Sequence, residues 1–245
     1  MGRYIKSAVA ALVAINVAVC LILKLTALLS ASTGETVAAS LGLSLHPFQP
    51  WGLLSYMFTQ TGLLHLLFNC IIIWCFGRLY MTLATGRQLW LTYVVGGLCG
   101  GVAFLLASAL GWTGGTLYGS SAAALAVAVA AGVRTPNLEM NFLAVGGIRL
   151  KWIVITLALL SLAELPGGGG IAHVGGILGG FLGAALTKRT LRFRVVRPVK
   201  PSAEAPSTET DAQALDRLLE KVRRSGYPSL SSSERRQLMD LSNRM

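Results

Sequence analysis

Charge is scarce in this chain. Asp, Glu, Lys and Arg make up only 13% of its 245 residues, about half the roughly 25% typical of soluble domains. A water-facing surface on that little charge is excluded, and a lipid-facing one is expected. Acidic residues are scarcer still, 10 against 21 basic, for a net charge of +11. Such an excess suits nucleic acid only when the cations share one face. Here they lie between apolar runs and in one tail, so no nucleic-acid partner is expected. The four cysteines, Cys20, Cys70, Cys75 and Cys99, all sit inside apolar runs without CxxC spacing. That argues against a disulfide or zinc framework, and neither a metal nor a cofactor is expected.

What abounds is apolar: 53% of residues, with a mean hydropathy of +0.63. A helix needs about 20 predominantly apolar residues to cross a bilayer. Runs of that kind lie near 7–29, 62–80, 89–110, 117–133, 150–165 and 170–187. The first, Ser7 to Leu29, is too long for the apolar core of a signal peptide and reads as an uncleaved first helix. The fifth spans only if Arg149 and Lys151 reach a headgroup layer.

Basic residues gather in cytoplasmic loops, which tests this count. With the N-terminus inside, Arg3, Lys6, Arg78, Arg87, Arg134, Arg149, Lys151 and the tail beyond Lys188 all fall inside. The outer segments, near 30–61, 111–116 and 166–169, carry no Lys or Arg, and Lys24 alone escapes the sorting. The reading is an all-α, polytopic membrane protein of six helices with both termini cytoplasmic, in a cell inner or plasma membrane. Residues 1–190 form its membrane domain. A basic, then Pro/Ser-rich linker follows at 191–210, its basic part suited to anionic lipid. A small cytoplasmic helical tail occupies 211–245, where Leu215, Leu218, Leu219 and Val222 recur at helical spacing. Ser231 and Glu234 have capping-box spacing at the start of its second helix.

Polar groups inside a bilayer are costly and mark function. Two of the three histidines lie in apolar runs. His65 opens HLLFNCIIIWCFG, with Asn69 one turn on, on the same helix face. His173 sits in GGGGIAHVGGILGGFLG, and the third polar cluster is Gly119-Ser120-Ser121-Ala122. The second, fourth and sixth helices all begin outside under the charge map, so His65, Ser121 and His173 share one depth. A serine and a histidine at one depth can pair as nucleophile and base. His65, the Asn69 amide and the Ser121 N–H are candidate oxyanion donors. Taken singly, each has a plainer meaning: a helix-start serine, a packed histidine, a structural His–Asn pair. Gly175, Gly176, Gly179, Gly180 and Gly183 face the alanines of the fourth helix (Ala122, Ala123, Ala124, Ala126, Ala128) and permit close helix contact. GWTGG before the fourth run suggests a loop that dips inward.

Together these strings resemble the rhomboid family of intramembrane serine proteases over about 45 to 187. The family's H-x-x-x-N matches His65 and Asn69. Its G-x-S-G matches Gly119 to Ala122, with Ser121 in the nucleophile's place rather than Ser120. Its A-H-x-x-G-x-x-x-G matches Ala172, His173, Gly176 and Gly180. The resemblance implies a six-transmembrane-helix bundle and a serine-type endopeptidase with a Ser121–His173 dyad. His65, Asn69 and Ser121 would stabilise the oxyanion, and transmembrane proteins in the lipid bilayer would be the substrates. Ala122 replaces the family's glycine after the nucleophile, and Leu125 stands where an aromatic residue often packs on the base. Ala122 motivates the alternative of a catalytically weak or inactive rhomboid-like protein that binds membrane clients. A small transporter ranks below both, for want of intramembrane charges. KVRRSGYPSLSSSERRQL also looks like an appendage of some bacterial rhomboids; its partner is unknown.

Overall fold

The computed structural model describes residues 2–142, 146–163, 165, 168–187 and 211–244. The linker at 191–210 lies outside them. Two compact units divide the chain, Met1–Leu191 and Arg192–Met245.

The first unit is a helical bundle. Its long or central helices are α1 (Gly2–Leu29), α4 (Leu63–Tyr80), α5 (Gly86–Ala109), α6 (Ser121–Arg134), α7 (Leu150–Leu162) and α8 (Gly168–Thr187). Four stretches are long and apolar enough to cross a membrane: Ala8–Leu29, Leu63–Tyr80, Gly86–Ala109 and Gly168–Thr187. α6 and α7 are apolar but shorter, 14 and 13 residues. Exposed Leu21, Ile22, Leu25, Leu64, Leu67 and Phe68 would be a liability in water. In a bilayer, lipid covers them.

α6 is the hub. Ala122 through Gly132 are all buried, so this helix is apolar all round and wrapped by its neighbours. α8 packs on it through glycine: a Cβ at Gly180 would come within 2.7 Å of the Ala126 carbonyl oxygen, and one at Gly176 would meet the Ala122 backbone. The glycines of α8 serve two neighbours rather than one, since Gly175 and Gly179 face Cys99 and Gly96 of α5. Each glycine costs a helix about 1 kcal/mol against alanine, and backbone approach on two sides offsets it. α5 begins at a capping box between Thr85 and Gln88.

Three features differ from the sequence reading. The outer segment, read as a loop, contains α2 (Ala31–Leu41), capped by Ser30, then α3 (Gly52–Ser55) and a 3-10 turn at Tyr56–Phe58. An antiparallel hairpin, β1 (Glu139–Phe142) with β2 (Gly146–Arg149), joins α6 to α7, so the chain is not purely α. Glu139 faces Arg149 across it. α6 starts at Ser121 rather than near 117, because Leu117 is held in backbone pairing with Leu43 on the outer segment.

In the second unit, α9 (Asp211–Ser225) and α10 (Ser232–Arg244) bury Ala214, Leu218, Leu230 and Leu241. The Ser231–Glu234 capping box forms: Ser231 N–H donates to Glu234 Oε2 at 2.8 Å, and Glu234 N–H to Ser231 Oγ at 3.3 Å.

Candidate active site

Three helices deliver one side chain each to a single cavity. It measures about 270 Å³, and its wall includes His65 near the start of α4, Ser121 at the first position of α6, and His173 in the second turn of α8. Thr61, Thr116, Tyr118 and Gly168 complete much of the lining.

Ser121 Oγ lies 2.8 Å from His173 Nε2. The other ring nitrogen, Nδ1, lies 2.9 Å from the backbone carbonyl of Ser161 on α7. A carbonyl only accepts, so Nδ1 carries the proton and Nε2 is left to accept from the serine hydroxyl. This is the order of a nucleophile, a base and a third group that orients the base. A main-chain oxygen takes the third place, and His173 is only 7% exposed. The Ser161 carbonyl thus holds the ring where Leu125 supplies no aromatic face.

His65 packs on the loop before α6. Gly119 has φ +114°, and a Cβ there would sit 2.7 Å from His65 Cε1. Both the backbone angle and the imidazole demand glycine at this position. Gly119 N–H donates to the Tyr56 carbonyl at 3.0 Å, tying the loop to the 3-10 turn.

Asn69 goes elsewhere. It is 2% exposed and does not line the cavity among the described residues. Its Nδ2 donates to Gln60 Oε1 at 2.9 Å. The Gln60 amide in turn donates to Asn16 Oδ1 at 2.9 Å and to Ser120 Oγ at 2.7 Å. Ser120 is therefore committed to a buried network, while Ser121 faces His173.

Ala122 is 1% exposed. A Cβ added at Gly100 of α5 would come within 2.7 Å of the Ala122 methyl. The extra carbon fills space that a facing glycine leaves empty.

A family model described as the rhomboid domain matches residues 47–190, which contain all of these groups except Asn16. The chain belongs to the rhomboid family. Rhomboids are serine intramembrane proteases, and this rhomboid is a membrane-embedded, multi-pass protein. It is similar to the "Rhomboid protease GluP" of Bacillus subtilis (strain 168), 28% identical over 138 residues. That match covers 55% of this chain and 25% of the relative, so the chain spans about a quarter of the relative's length. A family of unknown function (DUF6576) matches residues 209–244. No solved structure gives a significant match.

Sequence reasoning missed Ser161 and Gln60. Ser161 acts through its carbonyl, which leaves no mark on residue type. Gln60 stood in a stretch read as outer loop, with no apolar run to flag it.

Proposed function

We propose that this rhomboid hydrolyses peptide bonds in or near transmembrane segments of membrane proteins, with Ser121 as nucleophile and His173 as general base. The observation that carries the reading is the 2.8 Å contact between Ser121 Oγ and His173 Nε2, with Nδ1 engaged by Ser161.

Ser121 Oγ attacks the scissile carbonyl carbon as its proton passes to His173 Nε2. The resulting imidazolium keeps its Nδ1–H on the Ser161 carbonyl. Negative charge grows on the former carbonyl oxygen and needs donors already in place. Ser121 N–H, at the first position of α6, has no partner within its own helix. It points with the helix's positive end. His65 stands across the cavity as a second donor. The Asn69 amide, engaged with Gln60, is one step back and acts by holding that residue. On collapse, His173 returns the proton to the leaving amine. Water then attacks the acyl-serine ester by the same route, and the polar cavity admits it.

All six apolar helices span the membrane in this reading, α6 and α7 with help from flanking residues. Both termini and the helical tail are cytoplasmic, in a cell inner or plasma membrane, as the distribution of Lys and Arg implies. The domain limits are 1–190, 191–210 and 211–245. The fit of Ala122 against Gly100 favours an active enzyme over an inactive client-binding relative.

A fluorophosphonate probe, which reacts with activated serines, tests this in liposomes beside a transmembrane substrate. Wild type is expected to be labelled at Ser121 and to cleave. Cleavage undiminished in Ser121→Ala would remove the assignment.

A further inference from the structure

Gln60 lies outside the cavity and touches none of the reacting groups, yet it is fully buried and every polar atom of its amide is engaged. Its oxygen accepts from Asn69 on α4. One N–H donates to Asn16 on α1 and the other to Ser120. Asn16, Gln60 and Ser120 are each 0% exposed. Asn16 Nδ2 donates to the Leu12 carbonyl at 2.9 Å, which turns Asn16 Oδ1 towards Gln60 and so fixes the Gln60 NH2 group on the side of Asn16 and Ser120.

Ser120 is the N-cap residue of α6. A serine there normally turns its hydroxyl onto the first N–H groups of its own helix. This one makes no such cap and holds a φ of −84° and a ψ of 3°, outside the extended region usual for a cap. Its hydroxyl points instead to Gln60. One residue earlier, Gly119 is fastened by the Tyr56 carbonyl. The loop into the nucleophile is thus pinned at two consecutive residues by the segment 56–60.

We propose that Gln60 is a positioning residue for the reaction at Ser121. Its bond to Ser120 sets the first turn of α6, and with it the direction of the Ser121 hydroxyl and of the Ser121 N–H. Neutral amides suit the task, since a charge at this depth would carry a large desolvation cost. The network reaches α1 and α5 through Asn16, whose Nδ2 donates to the Tyr93 hydroxyl at 3.2 Å, and Tyr93 donates to the Met57 carbonyl at 2.8 Å. Four parts of the bundle therefore set the geometry of one serine.

This rests on the protease reading, and the experiment separates the two. Gln60→Met keeps length and apolar bulk but removes the donors, and Ser120→Ala removes the same bond from the other side at the cost of one oxygen. Full-length wild type, both variants and the double variant are compared in liposomes. The readouts are kcat and KM on a transmembrane substrate, the rate of fluorophosphonate labelling at Ser121, and the thermal midpoint. A misplaced reacting geometry costs on the order of 100-fold in rate. Each variant is expected to lose about 10- to 100-fold in kcat and labelling rate with KM unchanged. The double variant should lose no more than the worse single one. If Gln60→Met does not fold, Ser120→Ala decides alone. Wild-type kcat in a folded variant, a loss confined to KM, or multiplying losses in the double variant would each overturn the proposal. Wild type unlabelled at Ser121 would sink the protease reading itself, and the positioning role with it.

Discussion

Two polar clusters, one buried and one partly buried, sit at opposite ends of α6, and they are built from different chemistry. At the N-terminal end, Asn16, Gln60, Asn69 and Ser120 form a neutral web of amides and hydroxyl. At the C-terminal end a cation is at the centre. Arg134 donates to Thr187 Oγ1 and to the Leu83 carbonyl, and its guanidinium lies 4.9 Å over the Tyr80 ring. The Tyr80 hydroxyl bonds Thr92 at 2.9 Å and Thr187 at 2.8 Å. Among the described residues, no carboxylate pairs with that arginine, so the Tyr80 ring, the Leu83 carbonyl and the Thr187 hydroxyl take the place of water around the charge. A cation at a helix C-terminus is favourable, and it ties α6 to α4 and α8. In the proposed mechanism one end aims the nucleophile, and the other fastens the helix. The first should govern rate, and the second stability.

The comparison breaks most visibly at the reacting pair. Ser121→Ala or His173→Ala should lower kcat by about 10⁴-fold or more, with the double variant hardly worse, because the two act as a unit. His65→Ala should cost about 10²- to 10³-fold in kcat, as expected for one oxyanion donor. Gly119→Ala sets rate and stability against each other. Its φ of +114° and the nearby His65 ring should cost about 1–3 kcal/mol of stability, with a rate loss in the molecules that still fold. At the opposite end the balance should invert. Arg134→Met should lower stability by about 1–3 kcal/mol by stranding its hydrogen-bond partners, read as a lower thermal midpoint with kcat per folded molecule unchanged. A fall in kcat there with an unchanged midpoint would erase the distinction between the two ends.

The smallest effect belongs to an exposed ion pair in the second unit, a control for charge without burial. Lys221 Nζ lies 2.6 Å from Glu234 Oε1, and its hydrogen bond, helped by Ser231, lowers the Glu234 carboxyl to about 2. A lowered carboxyl stabilises the folded hairpin above the ordinary carboxylate range. That contribution fades as pH falls from about 4.5 towards about 2. Salt should weaken it. The carboxylate carbon shift of Glu234 should titrate near the lower value and move up in Lys221→Met.

Much of the site was legible in the sequence because its members interrupt apolar runs. His65, Ser121 and His173 stand out where polarity is expensive, and the charge map put the ends that carry them on one side. The first turns of α4, α6 and α8 do meet at one cavity. Asn69 was legible as a polar residue on the His65 face but not in its partner, since Gln60 comes from a segment whose residues read as loop. α2 was hidden because ASTGETVAASL is polar enough to pass for a connection, though Ser30 at its start was a capping signal. The hairpin escaped for another reason. Strands of four residues, the second opening on Gly146 and Gly147, leave too short an alternation to see against the long runs around them.

α6 is also a depth gauge. At 14 residues it is about 21 Å long, against a hydrocarbon core of about 30 Å. In the six-span reading proposed above, with Arg134 held at one face, the missing length would fall at the other and Ser121 would be recessed below the rim. If the chain is the protease proposed, scission would then happen at a set height above the far face, whatever the client's side chains. A client extended on its inner side by one helical turn, about 5.4 Å, would present the same residues above the nucleophile and escape.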